Sequence, residues 1–277
     1  GKGTAVTDPV GFNTPVYYPA DASKEVHLFG LYPTTGWTVD AADGLTATYT
    51  IDGCSDVMTA ETATTKKSDV QVVSPATPSY PKLSFKHLLT KLNVKVVAEK
   101  IGEAADADQP AVKAWGAITK IELVKGLNEA DPQNSCKVTF ADNTVVFDGT
   151  GVMPFYLASE DASNNITYED VKVGEEVDGS AKNIDLTTTA ALAAYSIVAP
   201  VEPTSGSDVI KLKVYTENQT DGKEVSVSLK KDASTPVTGS TAGKEYTITL
   251  TFKATEMLVQ GEVTAWTDGG SGEQDVD

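Results

Sequence analysis

Two histidines, two cysteines and a few adjacent carboxylates are the side chains in this sequence with the chemistry for catalysis or metal binding. Acid–base or nucleophilic catalysis needs a titratable group held by a partner at motif spacing. His27 lies inside the apolar run Val26-His-Leu-Phe-Gly-Leu-Tyr32, and His87 lies inside the Phe85–Leu92 run. Neither has a serine, cysteine or carboxylate at a recognisable motif spacing, so both are expected to be structural. A Gly-x-Ser-x-Gly elbow, a His-Glu-x-x-His zinc helix, a P-loop and a dinucleotide glycine fingerprint are all absent from the sequence. Gly149-Thr-Gly151 reads as a turn. The carboxylate pairs Glu160-Asp161, Glu169-Asp170, Glu175-Glu176 and Asp275/Asp277 supply oxygen atoms of the kind calcium prefers, but without EF-hand-like spacing, which points to solvated loops. Cys54 and Cys136 are too few for a disulfide framework and read as two isolated thiols, with a single bridge as the alternative. No catalytic, cofactor-binding or metal-ligating residue is therefore expected, and the chain reads as a non-enzyme.

Charge narrows the partners. The formal net charge is −17 and the sequence pI about 4.5, so the surface field repels nucleic-acid phosphates and anionic lipid. All the basic residues are lysines, and the bidentate guanidinium fork that grips carboxylate or phosphate is missing. No run approaches the roughly 20 apolar residues that span a bilayer. The start at Gly1-Lys2-Gly3 reads as a mature or trimmed end, compatible with a removed signal or lipid anchor.

The elements that must carry these residues are strands. Tyr246, Ile248, Leu250 and Phe252 alternate with Thr247, Thr249 and Thr251, and the return arm Met257–Trp266 repeats the period, with Gly261 expected at a bulge. Leu45–Ile51 alternates as cleanly. Val26–Tyr32 suits a buried strand, Val70–Val73 a short one, and residues 83–98 one long strand with a bulge or single turn near Leu88. No helix longer than a turn or two is expected, and alternating βαβ patterning is absent, which disfavours a parallel sheet. The length allows two ordinary cores, and the polar stretch Ser159–Asn165 is the best junction. About seven strands fall on each side, so the expected fold is all-β: two tandem immunoglobulin-like β-sandwich domains, residues 1–158 and 159–277.

A motif series runs through the chain: Phe29-Gly-Leu-Tyr-Pro33, Ile51-Asp-Gly53, Asp56-Val-Met-Thr-Ala60, Leu83-Ser-Phe-Lys-His-Leu-Leu-Thr-Lys-Leu92, Gly243-Lys-Glu-Tyr246 and Val263-Thr-Ala-Trp266. In order and spacing it resembles the fimbrillin-like family. That resemblance implies transthyretin-like sandwich domains, a surface lipoprotein of the outer membrane in Bacteroides-type bacteria, and a structural or adhesive role in a type V pilus (fimbria). It also implies partners that are other pilus subunits, joined by β-strand donation after a protease removes the first strand, with surface ligands for adhesion as further partners. Family members are often processed at arginine, which this chain lacks; prior cleavage, cleavage at lysine or no processing remain open. The lead-in Val16-Tyr17-Tyr18, bracketed by Pro15 and Pro19, is expected to pair weakly at a sheet edge. The alternative is a carbohydrate-binding surface lipoprotein, which would need an exposed aromatic platform among Trp37, Trp115 and Trp266. Trp37 is expected to pack in its loop, and Trp266 with Tyr246 in the C-terminal core.

Overall fold

In a computed structural model, residues 19–42, 44–60, 63–66, 83–163, 165–230 and 235–265 are described. The expected strands at Val16–Tyr18 and Val70–Val73, together with Trp266, Asp275 and Asp277, lie outside them.

Strand formation follows the period-2 segments, and the sheets follow from which faces those segments must bury. Three small sheets use the early strands. β1 (Glu25–Leu28) pairs with β6 (Ala63–Lys66). β2 (Leu31–Tyr32), β5 (Met58–Ala60) and β7 (Phe85–His87) form a sheet in the order β2-β5-β7. β3 (Trp37–Val39), β4 (Thr46–Thr50), β10 (Ser135–Thr139) and β11 (Thr144–Asp148) form another, in the order β11-β10-β4-β3.

Two larger sheets face each other over the main core. One has the order β14-β13-β17-β8-β20-β21, built from β8 (Thr90–Ala98), β13 (Tyr156–Glu160), β14 (Ile166–Lys172), β17 (Ala191–Val198), β20 (Lys244–Phe252) and β21 (Met257–Ala265). The other has the order β12-β9-β18-β19, built from β9 (Ile118–Lys125), β12 (Met153–Pro154), β18 (Val209–Thr216) and β19 (Gln219–Ser228). A ribbon of β15 (Glu176–Val177) and β16 (Ser180–Ala181) completes the all-β fold. Leu92 and Val198 of the first sheet meet Leu123 and Ile210 of the second. Among the described residues the α-helix is α1 (Pro110–Trp115), which begins on a proline, where the missing N–H costs nothing, and brings Trp115 edge-on to Phe252 at 5.4 Å.

The closing hairpin matches its pattern: Tyr246, Ile248, Leu250 and Phe252 are buried and the intervening threonines half-buried. Gly261 is not a bulge, however. Its pairing with Ile248 continues an unbroken register, and a Cβ there would stand 2.9 Å from the Ser228 carbonyl oxygen. The glycine is needed because β19 passes that close, joining the two sheets along this side.

Two further expectations are corrected. Residues 83–98 are not one strand: the chain leaves the three-stranded sheet after His87 and enters the six-stranded sheet at Thr90, so its helix-like spacing at Leu88 and Leu89 marks a crossing. Val26–Tyr32 is not a buried strand but two short ones, with Phe29 and Tyr32 36% and 45% exposed. As expected, no sheet is parallel: among the described strands the ladders are antiparallel except that of β8 with β20, where β20 is reached from the facing sheet rather than through a helical crossover. The position between residues 158 and 159 lies inside β13, whose residues pair with β14 on one side and β17 on the other, and β8 sits at the centre of the sheet formed mostly by later residues.

Two outcomes are expected. Truncating Tyr246 to Ala removes a fully buried ring and should cost about 3 kcal/mol, read from chemical denaturation; an unchanged midpoint overturns the packing role. Expressed alone, residues 159–277 lack β8 and should show no cooperative thermal transition, whereas a sharp transition would support a domain boundary at that point.

Candidate functional site

The polar residues that the fold gathers lie where the small sheets meet the six-stranded sheet. After Ile51 the chain makes a turn capped by its own carboxylate: Asp52 Oδ1 accepts from the backbone N–H of Cys54 (2.9 Å) and Ser55 (2.8 Å), and Oδ2 accepts from the Ser55 hydroxyl (2.6 Å). Gly53 has φ +96°, and a Cβ there would lie 3.0 Å from the Pro154 oxygen. That closeness lets the Gly53 carbonyl accept from Ile197 N–H at 2.7 Å, continuing the pairing of β17 beyond the end of β13. Tyr156 donates its hydroxyl to the Asp52 carbonyl (2.9 Å), and the Cys54 thiol donates to Asp170 Oδ1 (3.3 Å).

The electrostatics describe a clasp rather than a reactive centre. Burial opposes ionisation of Asp52, but the hydrogen bonds from Ser55 and Cys54 prevail and hold its carboxyl below the ordinary range. Burial first, then the neighbouring Asp52 and Asp170, push the Cys54 thiol up to about 12. It stays protonated at neutral pH and is no nucleophile. Cys136, buried on β10, is pushed up to about 12 by burial, and both cysteines are free thiols. Burial likewise raises the Tyr156 and Tyr195 hydroxyls.

His87 has a partner that sequence spacing did not reveal. Its Nδ1 lies 2.7 Å from Asp56 Oδ2, 31 residues away, because pairing of β5 with β7 sets Met58 opposite His87. His27 sits on an exposed position of β1. Among the described residues no group of three His, Cys, Asp or Glu side chains converges as a metal site. The carboxylate pairs have local work: Glu160 pairs with Lys95 at 3.1 Å, Asp161 caps the backbone N–H of Ser163 and Asn165, and Glu175 accepts from Lys172 N–H. Glu169 and Asp170 lie on the edge strand β14, where charge discourages edge-to-edge pairing. Trp37 donates to the Pro33 carbonyl and packs on Tyr49 at 5.2 Å, in keeping with a ring packed in its loop, and Trp115 is buried.

The small sheets also carry exposed apolar side chains. Phe29, Tyr32, Val39, Leu45, Phe85 and Val146 are each 36% exposed or more, and Phe29 stacks on Phe140 at 5.1 Å. In β11-β10-β4-β3 one face reads Trp37, Tyr49, Cys136 and Phe147 in one row and Val39, Ala47, Val138 and Val145 in the next. It is buried at the centre and open toward its edge strands β3 and β11.

A family model described as fimbrillin-like matches residues 1–266. Among solved structures, a candidate cell adhesion protein from Bacteroides uniformis is similar at 18% identity and TM-score 0.50, covering 91% of this chain and 77% of that one. Another from Bacteroides ovatus is similar at 18% identity and TM-score 0.46, covering 88% and 68%. The tip fimbrial protein Mfa3 from Porphyromonas gingivalis has 10% identity and TM-score 0.35, covering 76% and 63%. Curated proteins yield no match.

Replacing Asp52 by Ala should lower stability by about 2 kcal/mol at neutral pH, since several hydrogen bonds to a charged acceptor are lost. Because the folded carboxyl titrates below its unfolded value, its contribution is present above the unfolded pKa and lost as pH falls through the folded one. Denaturation of both proteins at neutral and acidic pH should show the gap closing in acid; a gap independent of pH overturns the ionised cap.

Proposed function

The chain belongs to the fimbrillin-like family, and on that premise we propose that it is a structural or adhesive subunit of a cell-surface pilus, assembling by strand exchange between subunits. The observation that carries the reading is the span of the family match, residues 1–266, which takes in the small sheets, the clasp and the facing large sheets together. In this reading the subunit is exported behind a removed lipoprotein signal, is anchored by lipid to the outer membrane and ends in the fimbrium.

Physical support for strand exchange comes from the small sheets. They are short, their outer strands have no further neighbour among the described residues, and their apolar side chains are half-covered. An edge of that kind is the template for an added strand, with backbone bonds supplying affinity and alternate side chains supplying specificity. The net charge of −17 keeps subunits apart until a specific strand contact forms. The lead-in around Val16–Tyr18, flanked by Pro15 and Pro19, is the segment whose removal opens the acceptor edge.

Deleting residues 1–20 and following particle size by light scattering tests this, with electron microscopy of the products. The truncated protein should grow into filaments, and a synthetic peptide of residues 1–20 should suppress growth. A folded, monomeric truncation indifferent to the peptide overturns the proposal.

A further inference from the structure

The outer face of β8 carries a polar trio that neither the clasp nor the proposed assembly uses. Lys91 and Asn93, two residues apart on one strand, project from the same face and are 7% and 3% exposed. Glu245, on β20, is the direct pairing partner of Lys91. Its carboxylate bridges the other two: one oxygen accepts from Asn93 Nδ2, and the other lies 3.6 Å from Lys91 Nζ. Lys91 Nζ also sits 3.7 Å from the centre of the Tyr168 ring, which stands edge-on to Tyr195 at 4.8 Å, so aromatic surface walls the trio from water. Asn93 Oδ1 is buried without a hydrogen-bond partner. A buried ammonium and carboxylate beside a half-satisfied amide is a costly arrangement, and a neutral product relieves it.

We propose that Lys91 and Asn93 join in an intramolecular isopeptide bond, with Glu245 relaying the protons. In the low-dielectric pocket Lys91 passes a proton to Glu245 and becomes a neutral amine. Nζ attacks Asn93 Cγ and a new N–C bond forms. Glu245 gives its proton to Nδ2 and takes a second from Nζ, the Cγ–Nδ2 bond breaks, and ammonia leaves. One amide N–H, one neutral carboxylic acid and one ammonia account for every hydrogen, and no oxidant or cofactor enters. The ring closed along β8 holds the central strand extended and removes its buried charge.

Accurate mass of the intact, folded protein tests the inference. The wild type should weigh one ammonia less than its sequence, trypsin should not cut after Lys91, and the peptide spanning residues 87–95 should carry the deficit. Glu245→Gln and Lys91→Met, checked as folded by circular dichroism, should both return to full mass. Full mass in the folded wild type overturns the bond. A deficit of one water places the link on Glu245 and overturns the role of Asn93, and a deficit of ammonia that persists in Lys91→Met also overturns it, because a cyclised asparagine would then account for it.

Discussion

Burial of β8 on both faces is the constraint on which the other elements depend. One face presents Leu92, Val94, Val96 and Ala98 to the facing sheet, where apolar side chains suffice. The opposite face presents Lys91 and Asn93, which cannot be buried without partners. Those partners come from distant segments: Glu245 from the last hairpin and Tyr168 from the edge strand β14. Thr90, the first residue of the strand, bonds to Thr241 just before that hairpin. With β17 antiparallel on one side and β20 parallel on the other, the strand ties the first third of the chain to its end.

The clasp depends on the same strand. The chain crosses from the small sheets into β8 at Leu88 and Leu89, and beside that crossing Leu88 N–H donates to the Val57 carbonyl and Gly243 N–H to the Leu89 carbonyl. The Asp52 turn seals the neighbouring strand β17 through Gly53. Short sheets with half-covered apolar surface are thereby held on a large, well-buried sandwich. Such a division of stability leaves the small sheets easier to open locally than the sandwich that carries them.

Several residues that invite a chemical reading are absorbed by this architecture. Cys54 is a hydrogen-bond donor to Asp170, His87 a hydrogen-bond partner of Asp56, and Trp37 a packed ring. The family motifs fall largely on these joints: Ile51-Asp-Gly53 is the turn, Asp56 the histidine's partner, Leu83–Leu92 the crossing, and Gly243–Tyr246 the entry to the hairpin that flanks it. In this chain they mark where the backbone passes from one sheet to another.

By itself the sequence determined that the protein is all-β, which faces of Tyr246–Phe252 and Ala47–Ile51 turn inward, and, through an ordered motif set, the family. Those properties are local: alternation places side chains on opposite faces whatever the strand's neighbour. Only the tertiary structure decided that β8 lies between β17 and β20, that residues 83–98 break at Leu88, that Gly261 serves a close approach and not a bulge, and that His87 meets Asp56. Pairing between strands depends on which distant edge is unfilled and which buried polar group still needs a partner. No pattern within a single strand records either one.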